Sequence, residues 1–116
     1  MLIDQKNTII GSFISYNLIK VFKPVGRIDF NTYGNVRLQI MELIQTSPDV
    51  LVIDMEDVDF IDSKGLSLLI NILKIMQING GKLILTKISR ELEMLLEITK
   101  TDKLFEIGDL VAAKVN

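Results

Sequence analysis

Apolar and polar residues alternate along the chain with two periods. Residues 8–15 and 18–23 are rich in β-branched and aromatic side chains, and Tyr16-Asn17 separates them. That pattern predicts two strands joined as a hairpin. Val50-Leu51-Val52-Ile53 and Leu83-Ile84-Leu85 are short, continuous apolar runs, as expected of inner strands covered on both faces. Between them the period changes to that of a helix. Over 31–46, Tyr33, Val36, Ile40, Leu43 and Ile44 form one stripe; over 63–79, Leu66, Leu69, Ile70, Leu73 and Met76 form another. Gly80-Gly81 stops the second helix. Ser89 is a suitable N-cap for a short helix that turns Leu92, Leu95 and Leu96 inward. Leu104 to Ile107 reads as a last strand, and Asp109 as the cap of a terminal helix through Lys114. The order is β-β-α-β-α-β-α-β-α, which predicts one α/β domain over 1–116 with an open mixed β-sheet and packed helices.

The helix over 63–79 has a second apolar stripe, Leu68, Ile72 and Ile75, roughly opposite the first. It either packs under a neighbouring helix or forms an exposed patch for a partner or a second copy, leaving a homodimer open.

Composition narrows the chemistry. The 116 residues include no cysteine and no histidine. Disulfides, thiol nucleophiles, zinc-thiolate sites, Ser-His triads and His-ligated metals are therefore excluded. A binding or regulatory module is expected rather than an enzyme. The formal charge of −2 argues against a nucleic-acid partner, which normally meets a basic face. The run from Leu66 to Ile78 is interrupted by polar residues and is too short to span a bilayer. With Asp4 and Lys6 ahead of any apolar run, the N-terminus does not read as a signal peptide. A cytoplasmic location without membrane insertion is expected.

The informative segment is Asp54 to Leu66, between an inner strand and the apolar helix. Ligands and partners of α/β sheets are met at the carboxyl ends of strands. Asp62 or Ser63 there would cap free backbone N–H groups, and Gly65 would let the first turn pack closely. Alternatively, a serine in the first turn offers its hydroxyl to modification. A phosphate on it would meet unpaired donors and the positive end of the helix dipole, and would add about −1.5 to −2 charges to the surface. Asp54, Glu56, Asp57, Asp59 and Asp62 bring Mg²⁺ to mind, but carboxylates alternating along an extended segment do not converge. A Ser63-Lys64 hydrolytic dyad is disfavoured because adjacent helical residues diverge by about 100°. The chain also lacks the Gly-rich phosphate loop of a nucleotide site.

Asp57-Val58-Asp59-Phe60-Ile61-Asp62-Ser63-Lys64-Gly65-Leu66 resembles the signature of the STAS family, in particular of its anti-sigma factor antagonists. Val25-Gly26-Arg27-Ile28-Asp29, with Thr32 near its usual place, resembles the G-x-[LI]-D ending that family's second strand. Gly80-Gly81-Lys82-Leu83 and Thr99 to Ile107 resemble its helix-to-strand turn and closing segment.

The resemblance implies a STAS-like fold and a known switch. The unphosphorylated antagonist binds an anti-sigma factor that is also a serine kinase, and the sigma factor is released. The kinase uses ATP to phosphorylate the motif serine, and a serine phosphatase restores it; the antagonist itself needs no cofactor. Carried onto this chain, Ser63 is the acceptor, Asp62 orients it, and Gly65 allows close approach of the partner. Gly26 and Asp29 lie on a neighbouring loop of the same face, although Asp29 has an alternative role as cap of the helix starting near Asn31. Two positions depart from the family pattern: Lys64 is usually small, and Lys100 is often Gly. Lys64 would pair with a phosphate or alter partner fit. The same family also serves in stress-sensing assemblies and as accessory subunits of membrane transporters of lipids or anions.

Overall fold

In a computed structural model that describes residues 2–3, 9–10 and 18–108, the chain forms eight short strands and three helices. They are β1 (Leu2–Ile3), β2 (Ile9–Ile10), β3 (Ile19–Phe22), β4 (Gly26–Ile28), α1 (Tyr33–Ile44), β5 (Val50–Asp54), β6 (Val58–Ile61), α2 (Ser63–Ile78), β7 (Lys82–Thr86), α3 (Arg90–Ile98) and β8 (Glu106–Gly108).

The main sheet has the order β3-β5-β7-β8, and every pairing in it is parallel. Parallel neighbours need crossovers, and α1, α2 and α3 lie in the successive connections. The apolar runs at 50–53 and 83–85 are its two inner strands, buried as expected. Their side chains divide by the strand period. Leu51, Ile53, Leu83 and Leu85 join the helix-side core with Ile40, Leu69, Ile72 and Met76. Val50, Val52 and Ile84 form a separate buried cluster with Ile19.

Residues 19–22 pair in parallel with β5 along one edge, Ile19 opposite Val50, and the antiparallel partner expected for their other edge, residues 8–15, lies outside the described residues except for Ile9–Ile10. The turn at Tyr16-Asn17 lies outside the described residues, as does the terminal helix from Asp109. Among the described strands, antiparallel pairing is confined to β1 with β2. Two further short strands were not foreseen as such: β4 and β6 pair in parallel as a separate ribbon, with Ile28 opposite Ile61. The last strand is also shifted toward the C-terminus, because Phe105 is drawn into the core while Leu104 stays exposed in the turn before it.

Both stripes of α2 are covered. Leu66, Leu69, Leu73 and Met76 are buried and Ile70 half-buried; Leu68 and Ile72 are also buried, with Ile75 half-buried against the same core. Helix α1 packs alongside α2. The second stripe is therefore core and leaves no patch for a second copy. Gly80, at φ +77°, ends α2 in the left-handed conformation that side-chain-bearing residues avoid.

Candidate functional site

The ribbon of β4 and β6 delivers two loops to the start of α2, and one carboxylate joins them. Asp62 has extended backbone geometry and caps α2: its Oδ1 accepts the Gly65 N–H at 2.9 Å. Its Oδ2 accepts the Phe30 N–H at 3.0 Å, from the loop after β4. The Gly65 N–H foremost, and those of Phe30 and Lys64, hold the Asp62 carboxyl below the usual carboxylate range by stabilising its charged form. Capping thus falls to Asp62.

Ser63 is the first residue of α2 and is exposed. Its hydroxyl makes no hydrogen bond among the described residues. No acidic side chain occupies the first turn of α2, so only the Asp62 cap faces the positive end of the helix dipole.

Gly65 is buried, which corrects its expected role. A Cβ there would collide with the carbonyl oxygen of Ile28 and come within 2.6 Å of Ile61 Cγ1. The close approach it permits is that of α2 to its own ribbon, not that of a partner.

Asp29 is 5% exposed and turns inward. Its Oδ2 accepts Arg27 Nε at 2.8 Å, and its Oδ1 accepts the N–H groups of Asn31 at 2.9 Å and Thr32 at 3.2 Å. Its carbonyl oxygen accepts from Thr32 and Tyr33. Thr32 Oγ1 closes the turn by accepting the Asp29 N–H and donating to the Arg27 carbonyl. The Arg27 guanidinium, with these donors, holds the Asp29 carboxyl low. Asp29 therefore shapes the turn ahead of α1, which begins at Tyr33 rather than near Asn31. It fixes the loop carrying Phe30 and presents little of itself.

Gly26 is not brought to Ser63. It opens β4 at φ +89°, donates its N–H to the Asp57 carbonyl and pairs with Val58. Ile61, which precedes the site, lies three residues further along the ribbon, roughly 10 Å at strand spacing.

Lys64 is exposed, and its Nζ lies 5.0 Å from the centre of the Tyr33 ring, within cation–π range. Three of the upstream carboxylates are neutralised by two lysines. Glu56 pairs with Lys23 at 3.0 Å and Lys87 at 3.6 Å, Asp57 with Lys23, and Asp54 with Lys87. No cluster able to hold a metal ion is found among the described residues.

Sequence reasoning passed over Phe30. The residue is 68% exposed, while its N–H ties it to the capping carboxylate beside Ser63. The signal available was a large aromatic residue directly after G-x-I-D, in a loop. Phe60, with the Arg27 guanidinium 4.3 Å above its ring, is a second partly exposed aromatic on the ribbon.

These residues form an outward-facing rim: an unbonded serine at a helix start, flanked by an exposed aromatic and a lysine. They define a small parallel α/β domain whose distinctive chemistry lies on its surface. The chain belongs to the STAS domain family, whose model matches residues 13–113. A relative described as anti-sigma F factor antagonist, from Paenibacillus polymyxa, is 27% identical over 92 residues, covering 78% of this chain and 79% of that protein. An anti-sigma factor antagonist from Mycobacterium paratuberculosis shares the fold with a TM-score of 0.75 at 23% identity, over 89% of this chain and 91% of that one. So does a sulfate transporter family protein from Wolinella succinogenes, with a TM-score of 0.69 at 18% identity, over 84% and 82% of the two chains. Among the described residues, no helix is long and apolar enough to cross a membrane.

Proposed function

We propose that this chain is an anti-sigma factor antagonist working by partner switching in the cytoplasm. The unphosphorylated form binds an anti-sigma factor that is also a serine kinase, and the sigma factor is released. The kinase transfers the γ-phosphoryl group of ATP to Ser63 Oγ, and ADP and the hydroxyl proton leave. A serine phosphatase hydrolyses the phosphoester with water and returns Ser63 and inorganic phosphate. The chain contributes recognition and an acceptor, and no catalytic group of its own.

The observation that carries this reading is the exposed, unbonded Ser63 hydroxyl at the first position of a helix already capped by Asp62. A phosphate there gains from the helix dipole, so the fold tolerates it. It also adds about −1.5 to −2 charges beside Asp62, enough to abolish a closely fitted or acidic contact. Phe30 supplies an exposed aromatic of the type that anchors interfaces. Asp62 orients the acceptor, and Asp29 acts indirectly, by holding the Phe30 loop. The 27% identity to the Paenibacillus polymyxa protein agrees in kind.

The test is incubation with ATP and the cognate kinase, followed by mass spectrometry and binding measurements. Phosphorylation at Ser63, absent in Ser63→Ala, and loss of kinase binding in Ser63→Asp are expected. An unmodified Ser63 together with full binding by Ser63→Asp would overturn the switch.

The likeness to the Wolinella succinogenes protein favours a second reading, in which the chain is an interaction subunit of a transporter or stress-sensing assembly. Such a subunit binds without phosphorylation. Co-purification with a transporter component and not with a kinase would select it.

A further inference from the structure

Beside Ser63, on the solvent side of the contact between α1 and α2, lies an open groove of about 310 Å³. Tyr33 and Arg37 line it from α1, one turn apart. Lys64, Ser67, Leu68 and Asn71 line it from α2, on successive turns of one face. Leu68 is buried at its base, while Arg37, Lys64, Ser67 and Asn71 are exposed. The lining contains two cations and no carboxylate. Arg37 and Lys64, like Lys20, Lys74, Arg90, Lys100 and Lys103, have no carboxylate partner among the described residues, and what sets these two apart is that they line one groove. The Tyr33 ring instead engages the Lys64 ammonium. The two helices carry three basic residues and one acidic residue, in a chain whose net charge is −2. The groove is thus a local positive feature on an acidic molecule, open on one side and furnished with amide and hydroxyl groups able to hydrogen-bond a carboxylate.

We infer that the groove between α1 and α2 is the docking site for an acidic segment of the partner protein, whose carboxylates meet Arg37 and Lys64. This deepens the proposed switch and rests on it for the partner's identity. It also gives the modification a second mode of action. A phosphate on Ser63 adds negative charge one residue from Lys64, at the end of the groove, and repels the carboxylates arriving there. Lys64, a departure from the small residue usual at this position, then determines specificity toward partners with an acidic segment.

Two measurements test this. In the first, the unphosphorylated protein is titrated calorimetrically with the kinase at low and high salt, as wild type, Arg37→Glu, Lys64→Glu and Lys74→Glu. Lys74 is exposed on α2 outside the groove. Arg37→Glu and Lys64→Glu are expected to weaken binding by about tenfold or more at low salt, with the gap closing at high salt, while Lys74→Glu matches wild type. Wild-type affinity in both groove variants, with Ser63→Asp still deficient, would overturn the groove and leave the Ser63 switch standing. In the second, the backbone amide resonances of the protein alone are followed as a glutamate-rich peptide is added, then separately with Mg-ATP. Shifts at Lys64, Ser67 and Asn71 with the peptide support the proposal. Shifts there with ATP alone, or with neither, overturn it. A wild-type protein that does not bind the kinase at all would refute the switch, and the peptide titration would then decide the groove by itself.

Discussion

Helices α2 and α3 begin alike and are equipped differently. Both follow the carboxyl end of a parallel strand, and both are capped by a side-chain oxygen: Asp62 accepts from Gly65, and Ser89 Oγ accepts from Leu92 at 3.0 Å. At α3 the serine is itself the cap, so its hydroxyl is engaged. The first turn there already holds Glu91 and Glu93, which answer the helix dipole. At α2 the aspartate takes the capping role, the serine moves one position inward and stays unbonded, and the first turn has no acidic residue. A negative group added at Ser63 fills a vacancy; added at Ser89, it would displace a cap and crowd two glutamates. One residue's difference in the placement of the serine separates a structural helix start from one fit for modification.

The sharpest way to break the α2 start is Gly65→Ala. The added Cβ meets backbone at Ile28, so this variant should lose about 1–3 kcal/mol despite the better helix propensity of alanine. A lowered urea midpoint would register it, and an unchanged midpoint would refute the close packing of α2 on the ribbon.

The caps themselves come next. Ser89→Ala should cost about 1 kcal/mol by chemical denaturation. Asp62→Ala should lower the midpoint further, because it releases two N–H groups on two different segments. The two caps also differ in pH response. The folded-state pKa of Asp62 is depressed, so its contribution is complete above the unfolded value, near about 4, and is lost as pH falls through the folded value. Asp62→Asn keeps an acceptor for Gly65 but removes this acid-dependent part. The stability of that variant should therefore fall less between neutral and acid pH than that of wild type. What remains comes from Asp29, held low by Arg27, and Glu56, held low by Lys23. Ser89→Ala should leave the acid profile parallel to wild type.

The smallest effect is expected at the α3 dipole. Glu91→Gln should destabilise by about 0.3–1 kcal/mol at low ionic strength, with the difference fading in salt. A salt-independent loss would place the role of Glu91 elsewhere.

Much of this site was legible in the chain because its determinants are local. A cap acts over three residues, so Asp62, Ser63 and Ser89 announced their helix starts, and the periodicity of 63–79 defined α2 almost to the residue. Other roles were ambiguous because they depend on distant segments. Gly65 faces Ile28 rather than a partner, Asp29 turns inward to Arg27 and its own loop, and Gly26 sits at the far end of the ribbon. Arg37 carried no signal of period or spacing, and Phe30 only its place directly after G-x-I-D.

The sequence by itself determined the α/β alternation, the single polar turn on which Asp62 and Ser63 sit, and the absence of histidine and cysteine that directs attention to a hydroxyl. These follow from short-range periodicity and from residue chemistry, which need no knowledge of neighbours. Tertiary structure alone decided that 19–22 pairs in parallel with β5, that β4 joins β6, and that Leu68 and Ile72 are core. It also brought Arg37 and Lys64 to one groove. Strand pairing and helix packing join residues some thirty positions apart, and a local pattern is satisfied equally by several such partners until the core closes and selects one.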